Sequence, residues 1–196
     1  MKAEFLEKGF AEASIRSIGE RAGLTSAALY RHYSSKEAMF CAVVEPLVQE
    51  IQTRMARHKE LHYQQLGAAG HSDFLFRESM IDIVREVILP HRAEFYLLVR
   101  CAQGTRYENY IHDFVAENQG DLADAIEHMR AQGYPAIHLE REELHMLLSA
   151  YMTAITEPII HGYPDEKITA YLDRMSDFFM PGWMKIMGLR PQESQM

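Results

Sequence analysis

Residues 14–36, SIRSIGERAGLTSAALYRHYSSK, decide how this chain folds. They read as two short helices joined at Ala22-Gly23-Leu24, with a further helix beginning at Ser35. Ser14, Thr25 and Ser35 each stand where a short hydroxyl side chain can accept the free N–H groups of a first helical turn. Gly23 stands where a helix can end in the left-handed conformation. Ile15, Ile18 and Ala22 share one face of the first helix, and Leu29 and Tyr33 lie one turn apart on the second. A pair of this shape can set its second helix into the major groove of DNA.

The charge pattern agrees with that reading. The segment carries Arg16, Arg21, Arg31 and Lys36 against one acid, Glu20. The formal net charge over 196 residues is −8, yet residues 1–45 hold six Lys/Arg and six Asp/Glu and are neutral, so the excess of −8 lies wholly in residues 46–196. An acidic body repels nucleic acid, and only the 14–36 segment attracts it.

Other classes are disfavoured. Cys41 and Cys101 sit in apolar helical sequence and form neither a disulfide framework nor a zinc spacing, so two reduced, packed thiols are expected. No apolar run approaches the roughly 18 residues of a membrane span. The N-terminal MKAEFLEKGF is amphipathic and charged, unlike a signal peptide. A cytoplasmic protein without a membrane partner is the expectation. The sequence holds no nucleophile elbow, glycine-rich phosphate loop or metal triad, which argues against an enzyme and gives no reason to expect a cofactor.

Helical periodicity runs through the chain without a convincing alternating strand, so the fold class is all-α. A short helix over 2–8 should stop at Gly9. With the pair in 14–36 it makes a three-helix head, residues 1–45, followed by a helical body, residues 46–196. The helix from Lys36 should run to about His58 and kink at Pro46, because proline removes one backbone hydrogen bond and crowds the preceding turn. Gln64–Ser72 reads as a loop and Asp73–Leu89 as a helix stopped by Pro90. Further helices are expected over Glu94–Ala102, Tyr107–Arg130, Glu140–His161 and Asp165–Met180, the last ended by Pro181-Gly182.

On the second helix of the pair, Ala27, Tyr30 and Arg31 share the face opposite Leu29. Small residues such as Ser26 and Ala27 allow close approach to base edges, and a methyl group can touch that of thymine. Arg31 suits guanine or phosphate. Tyr30 and Lys36 suit phosphate oxygens, which fix register more than sequence. Ser14 and the N–H groups beside it could receive another phosphate.

Residues 5–45, FLEKGFAEASIRSIGERAGLTSAALYRHYSSKEAMFCAVVE, resemble the DNA-binding head of the TetR (tetracycline repressor-like) family. The matching pieces are EKGF, SIRSIGERAGL, LYRHY and SSKEAMF. The resemblance implies an all-α homodimer whose heads bind a palindromic double-stranded DNA operator, usually repressing. A small molecule in the body would change operator affinity. Carried over by position, Ser14, Arg16, Thr25, Ser26, Ala27, Tyr30, Arg31 and Lys36 are the candidate DNA contacts. Three features depart from the family pattern. Only the second half of the usual first helix precedes Gly9, which implies a late start or a less stable head. Ser26 stands where lysine is frequent. Gly19 stands where alanine is common, and glycine there costs roughly 1 kcal/mol of helix stability.

The body is rich in aromatic residues, among them Phe74, Phe76, Phe95, Tyr96, Tyr107, Phe114, Tyr151 and Phe179. Helices packed on such residues can enclose an apolar pocket with a few polar anchors. The candidate effector contacts are His112, Asn118 and Tyr151 with Phe114 and Phe95, and the expected effector is apolar or aromatic. His58 and His62 lie four apart, a spacing a metal can use, but a surface pair is the commoner meaning and no metal ligand is assigned. His112, His128, His138 and His145 stand where packing decides whether they converge. Leu144, Leu147, Leu148, Tyr151 and Ile155 make one apolar stripe, and Ile168, Leu172, Met175 and Phe179 another. Two such helices from each subunit would form a four-helix dimer interface. The competing function is a regulatory protein-binding module with a degenerate head.

Overall fold

The computed structural model describes residues 1–65 and 79–189, and among these every regular element is helical. The helices are α1 Lys2–Glu12, α2 Ile15–Ala22, α3 Ser26–Tyr30, α4 Lys36–Gln65, α5 Ser79–Ile83, α6 Arg92–Arg100, α7 Tyr110–Ala131, α8 Arg141–Ile160 and α9 Asp165–Ile186. They belong to two compact units, one of residues 1–53 and 87–110, the other of residues 54–86 and 111–196. The expected head, 1–45, lies wholly inside the first unit, which also takes in 46–53 and 87–110.

The first unit is built on three phenylalanines. Phe5 and Phe40 meet edge-to-face at 5.2 Å, Phe10 and Phe40 at 5.6 Å, and Phe5 and Phe10 stack at 6.2 Å. Phe10 reaches the cluster because Gly9 leaves the helical region (φ 71°, ψ 170°) and turns the chain inside α1. Only glycine takes that conformation without steric cost. Phe5 and Phe40, fully buried, each contribute about 1.5–3 kcal/mol through their area, and each well-oriented ring pair adds about 0.5–1.5 kcal/mol. The turn also frees the Phe10 N–H, which donates to the Cys101 carbonyl at 2.8 Å. Lys2 pairs with Glu94 on α6 at 2.6 Å, so α1 is fastened to α6 at two points.

The head helices begin where the hydroxyl residues predict. Ser14 Oγ accepts from the Ser17 N–H at 3.4 Å, Thr25 Oγ1 from the Ala28 N–H at 3.1 Å, and Ser35 Oγ from the Ala38 N–H at 3.0 Å. Ile18 and Leu29 are buried, and Tyr33 is half-buried. α4 continues through Pro46 and passes the expected end near His58, so Gln64 and Gln65 are helical. The rest of the expected loop, the first turns of the helix expected from Asp73, Phe74, Phe76 and the side chains of His58 and His62 lie outside the described residues.

Pro90 does not stop its helix. The chain widens into a π turn over Val84–Ile88, tightens into a 3-10 turn over Leu89–His91, and resumes as α6. Proline has no N–H for the carbonyl four residues back, and a local change of pitch carries the chain past that gap. Pro181 likewise lies inside α9, which runs on to Ile186 with Trp183 and Met184 buried. Packing of those two large side chains outweighs the local breaker.

In the second unit α8 packs against α9, and Tyr151 meets Phe179 at 5.1 Å and Trp183 at 6.3 Å. The two apolar stripes are thus partly spent inside the chain. Leu144, Tyr151, Ile155, Ile168 and Leu172 are buried within the chain itself. The apolar side chains that α8 and α9 leave exposed are Met146, Leu147 and Phe178.

Gly19 has a steric role beyond its helix cost. A Cβ at Gly19 would lie 2.6 Å from the Leu24 carbonyl oxygen, where the Leu24 N–H closes α2 by donating to the Gly19 carbonyl at 2.9 Å. The obstacle is backbone, so it cannot swing aside as a side-chain tip would. Gly19→Val is expected to lower the melting temperature and to raise amide exchange in α2 and α3. Unchanged exchange in both helices would show that the turn has room to move.

Candidate nucleic-acid interface

α3 is five residues long, and its first turn depends on the Thr25 cap. Arg31 keeps the helical conformation (φ −72°, ψ −24°), and the Leu29 carbonyl accepts from the N–H groups of His32 and Tyr33, both at 3.0 Å. The helical turn therefore extends beyond Tyr30. Leu29 points into the head. Ala27, Tyr30 and Arg31 are exposed, and Ser26 is half-buried. Four of the eight sequence-derived positions thus lie on one short helix and its closing turn. The Thr25 hydroxyl accepts the cap hydrogen bond through its oxygen and keeps its own hydrogen to donate.

The cations divide by what already holds them. Arg31 has no ion-pair partner among the described residues. Arg16 is 86% exposed and pairs with Glu20 one turn away at 2.9 Å. An ion pair so exposed is worth little, and a phosphate can replace Glu20 at small cost. Lys36 is a brace. Its ammonium donates to the carbonyls of Ala11 at 3.0 Å and Ala13 at 3.2 Å, and lies 4.6 Å from the centre of the Phe10 ring. It fastens the start of α4 to the end of α1 and keeps one N–H to offer outward.

The start of α2 is less open to an anion than the sequence suggests. The Ser14 N–H donates to Glu4 Oε1 at 3.4 Å, and the Ser17 hydroxyl donates to Glu4 Oε2 at 2.7 Å. Arg21 reaches the same carboxylate at 3.3 Å and also pairs with Glu7. A carboxylate of the chain itself therefore sits at the positive end of α2, where an incoming phosphate would meet like charge. Sequence reasoning missed Glu4, which is 3% exposed. Its only local signal is an acid beside Phe5 at the start of an amphipathic helix.

The Ser17 hydroxyl, opposed by desolvation and helped by the Ser14 N–H and Arg21, holds the Glu4 carboxyl below its ordinary range. A depressed folded pKa means stabilisation that is complete above the unfolded value and is lost as pH falls through the folded one. The amides of α1 and α2 are expected to exchange faster as pH is lowered through the carboxylate range, after correction for intrinsic rates. Glu4→Gln should raise their exchange at pH 7 and flatten this pH dependence. A profile for Glu4→Gln matching that of the unaltered protein would remove Glu4 from this role.

The effector candidates are divided between the two units. Phe95 is buried in the first unit, whereas His112, Phe114, Asn118 and Tyr151 belong to the second. Asn118 turns back on its own helix, its Nδ2 donating to the Phe114 carbonyl at 2.7 Å. Tyr151 is 5% exposed, and its hydroxyl has no hydrogen-bond partner among the described residues. Burial pushes the phenol up to about 12, so it stays neutral. His112 on α7 meets His145 on α8 with ring centres 5.4 Å apart. His138 instead joins Glu127 at 3.1 Å at the surface. Cys41 and Cys101 are free and buried, and burial raises both thiols. No group of three histidine, cysteine, aspartate or glutamate side chains is placed to hold a metal among the described residues, and none of these helices is long and apolar enough to cross a membrane.

Residues 2–43 match the family model described as "Bacterial regulatory proteins, tetR family". Comparison with curated proteins and with solved structures gives no match. The matched segment runs from the first residue of α1 into α4 and contains the capped pair, the Gly9 turn and all eight candidate contacts. Residues 2–43 are thus similar to the helix-turn-helix head of bacterial regulatory proteins of the tetR family, a head of the DNA-binding, transcription-regulating kind.

Proposed function

We propose that the protein is a homodimeric, cytoplasmic repressor that binds a palindromic operator and releases it when a small molecule occupies the body. The observation that carries the DNA contact is the exposed face of α3, where Ala27, Tyr30 and an unpaired Arg31 stand opposite the buried Leu29. In this reading the eight head residues from Ser14 to Lys36 make the contact. Ser26 and Ala27 approach base edges, Arg31 reads guanine or grips phosphate, and Lys36 adds its outward N–H to a phosphate. A dimer sets two such helices about one turn of DNA, ~34 Å, apart or a small multiple of it.

Exposed Met146, Leu147 and Phe178 support self-association through α8 and α9, because adjoining exposed apolar side chains gain by excluding water. The unpartnered Tyr151 hydroxyl supports a ligand in the body. A buried polar group without a partner costs about 1–3 kcal/mol, and a ligand offering a hydrogen-bond acceptor recovers part of it. An effector acts only by binding one conformation of the body better than the other. Pro46 within α4, and the change of pitch before α6, are the points at which the proposed movement bends the chain.

The second reading, a protein-binding module with a degenerate head, draws on Arg16, Arg21 and Lys36 all having partners within the chain. A salt titration with operator fragments selected from genomic DNA separates the two. Phosphate-driven binding weakens steeply with salt, whereas absence of binding at low salt supports the module. Arg31→Ala is expected to weaken operator binding by about 1–3 kcal/mol and to relax preference at one base pair. Lys36→Ala should weaken all sequences about equally, flatten the salt slope and lower the melting temperature through loss of its brace. Negligible effects from both would count against α3 docking. Phe178→Glu should shift the protein from dimer to monomer in sedimentation, and an unchanged dimer would place the interface elsewhere.

A further inference from the structure

Gln119 is a buried glutamine, 5% exposed, on α7. Its Nε2 donates to the Arg141 carbonyl. Only the NH2 end of the amide can make that bond, so its Oε1 faces His145 Nδ1 at 3.4 Å. An amide oxygen only accepts, and Nδ1 of His145 must therefore carry the hydrogen. In the neutral ring this leaves the lone pair on Nε2. A protein acceptor on one imidazole nitrogen, fixing the tautomer and freeing the other nitrogen, is the usual support behind a metal-binding histidine.

His112, from the neighbouring helix, lies beside that ring. The ring centres are 5.4 Å apart and the planes meet at 67°. Two imidazoles sharing one tetrahedral metal at ~2.0–2.1 Å per bond have ring centres about 5 Å apart. His112 is exposed and His145 half-exposed, so solvent reaches the pair and can fill the remaining coordination positions. The excess charge of −8 in residues 46–196 draws cations toward this body.

We propose that His112 and His145 form a two-imidazole seat for a divalent transition-metal ion of the zinc, nickel and copper class, with Gln119 as its positioning residue. Imidazole suits these ions, whereas magnesium and calcium take oxygen ligands. The protein supplies two donors and water or a small anion completes the shell, so the site is open and exchangeable. A bound ion clips α7 to α8 within the second unit. The inference stands independently of the DNA-binding reading.

The test is a calorimetric titration of the full chain with zinc chloride, repeated with cobalt chloride to read the absorption bands of a tetrahedral ion. One equivalent per chain is expected. His112→Ala and His145→Ala should each weaken it at least tenfold, and His112→Ala removes an exposed side chain that the fold does not need. Gln119→Leu should weaken binding by about 10–100-fold while both imidazoles remain. His62→Ala and His138→Ala serve as controls and should change nothing. Binding that survives His112→Ala, that is lost in either control, or that never saturates near one equivalent overturns the proposal.

Discussion

The Glu4 carboxylate is buried in α1, and its two oxygens receive the Ser14 N–H, the Ser17 hydroxyl and the Arg21 guanidinium. Removing a carboxylate from water costs far more than burying an apolar group, unless donors surround the charge. Here all three donors come from α2 and its cap, so the charge has its low-energy arrangement only when α1 and α2 are docked. α3 follows α2 through the Gly23-Leu24 turn and inherits its position. The orientation of α3 therefore rests on one carboxylate two helices away from it. Glu4 fixes direction where the phenylalanine cluster supplies most of the burial, since apolar packing tolerates small rotations and a three-donor carboxylate does not.

The same small head must meet a polyanion with few cations, and it uses most of them twice. Arg21 closes over Glu4 and Glu7, and Lys36 ties two α1 carbonyls to the start of α4. Arg16 leans on an exposed acid that it can exchange for phosphate. Arg31 alone among these four has neither an ion pair nor a side-chain hydrogen bond among the described residues. A neutral head joined to an acidic body gains little from long-range attraction, so the DNA contact proposed above would draw its affinity from close contacts on α3. This places more weight on Tyr30, Arg31 and the shape of the Ser26–Ala27 surface than in a head with lysine at residue 26.

Much of this was legible because the signals were local. The hydroxyl caps, the Gly9 turn and the Ala27–Tyr30–Arg31 face follow from spacing along a few residues, and the structure puts them where the spacing requires. Three features were not legible, for one physical reason: each depends on what a distant segment brings. Glu4 reads as a solvated acid until Ser17 and Arg21 arrive. Lys36 reads only as a phosphate ligand until the Ala11 and Ala13 carbonyls, which accept two of its N–H groups, show it to be a brace as well. Pro90 and Pro181 read as helix ends, but a local breaker worth about 3 kcal/mol loses where buried Val87, Ile88, Trp183 and Met184 hold the adjoining turns.

The body shows the limit of periodicity most plainly. A stripe of apolar residues specifies that a helix face is covered, not by what. Leu144, Tyr151 and Ile155 fit a subunit interface and a private core equally well in sequence, and the chain uses them for its core. What stays exposed is Leu147 from the α8 stripe, with Met146 and Phe178 beside the stripes. The polar groups repeat this logic. Asn118 on α7 donates its Nδ2 to the Phe114 carbonyl of its own helix. Gln119, its neighbour, is buried and orients a histidine on the next helix. For each amide the deciding contact is invisible in the stripe: a carbonyl of its own helix for Asn118, and Arg141 and His145 for Gln119.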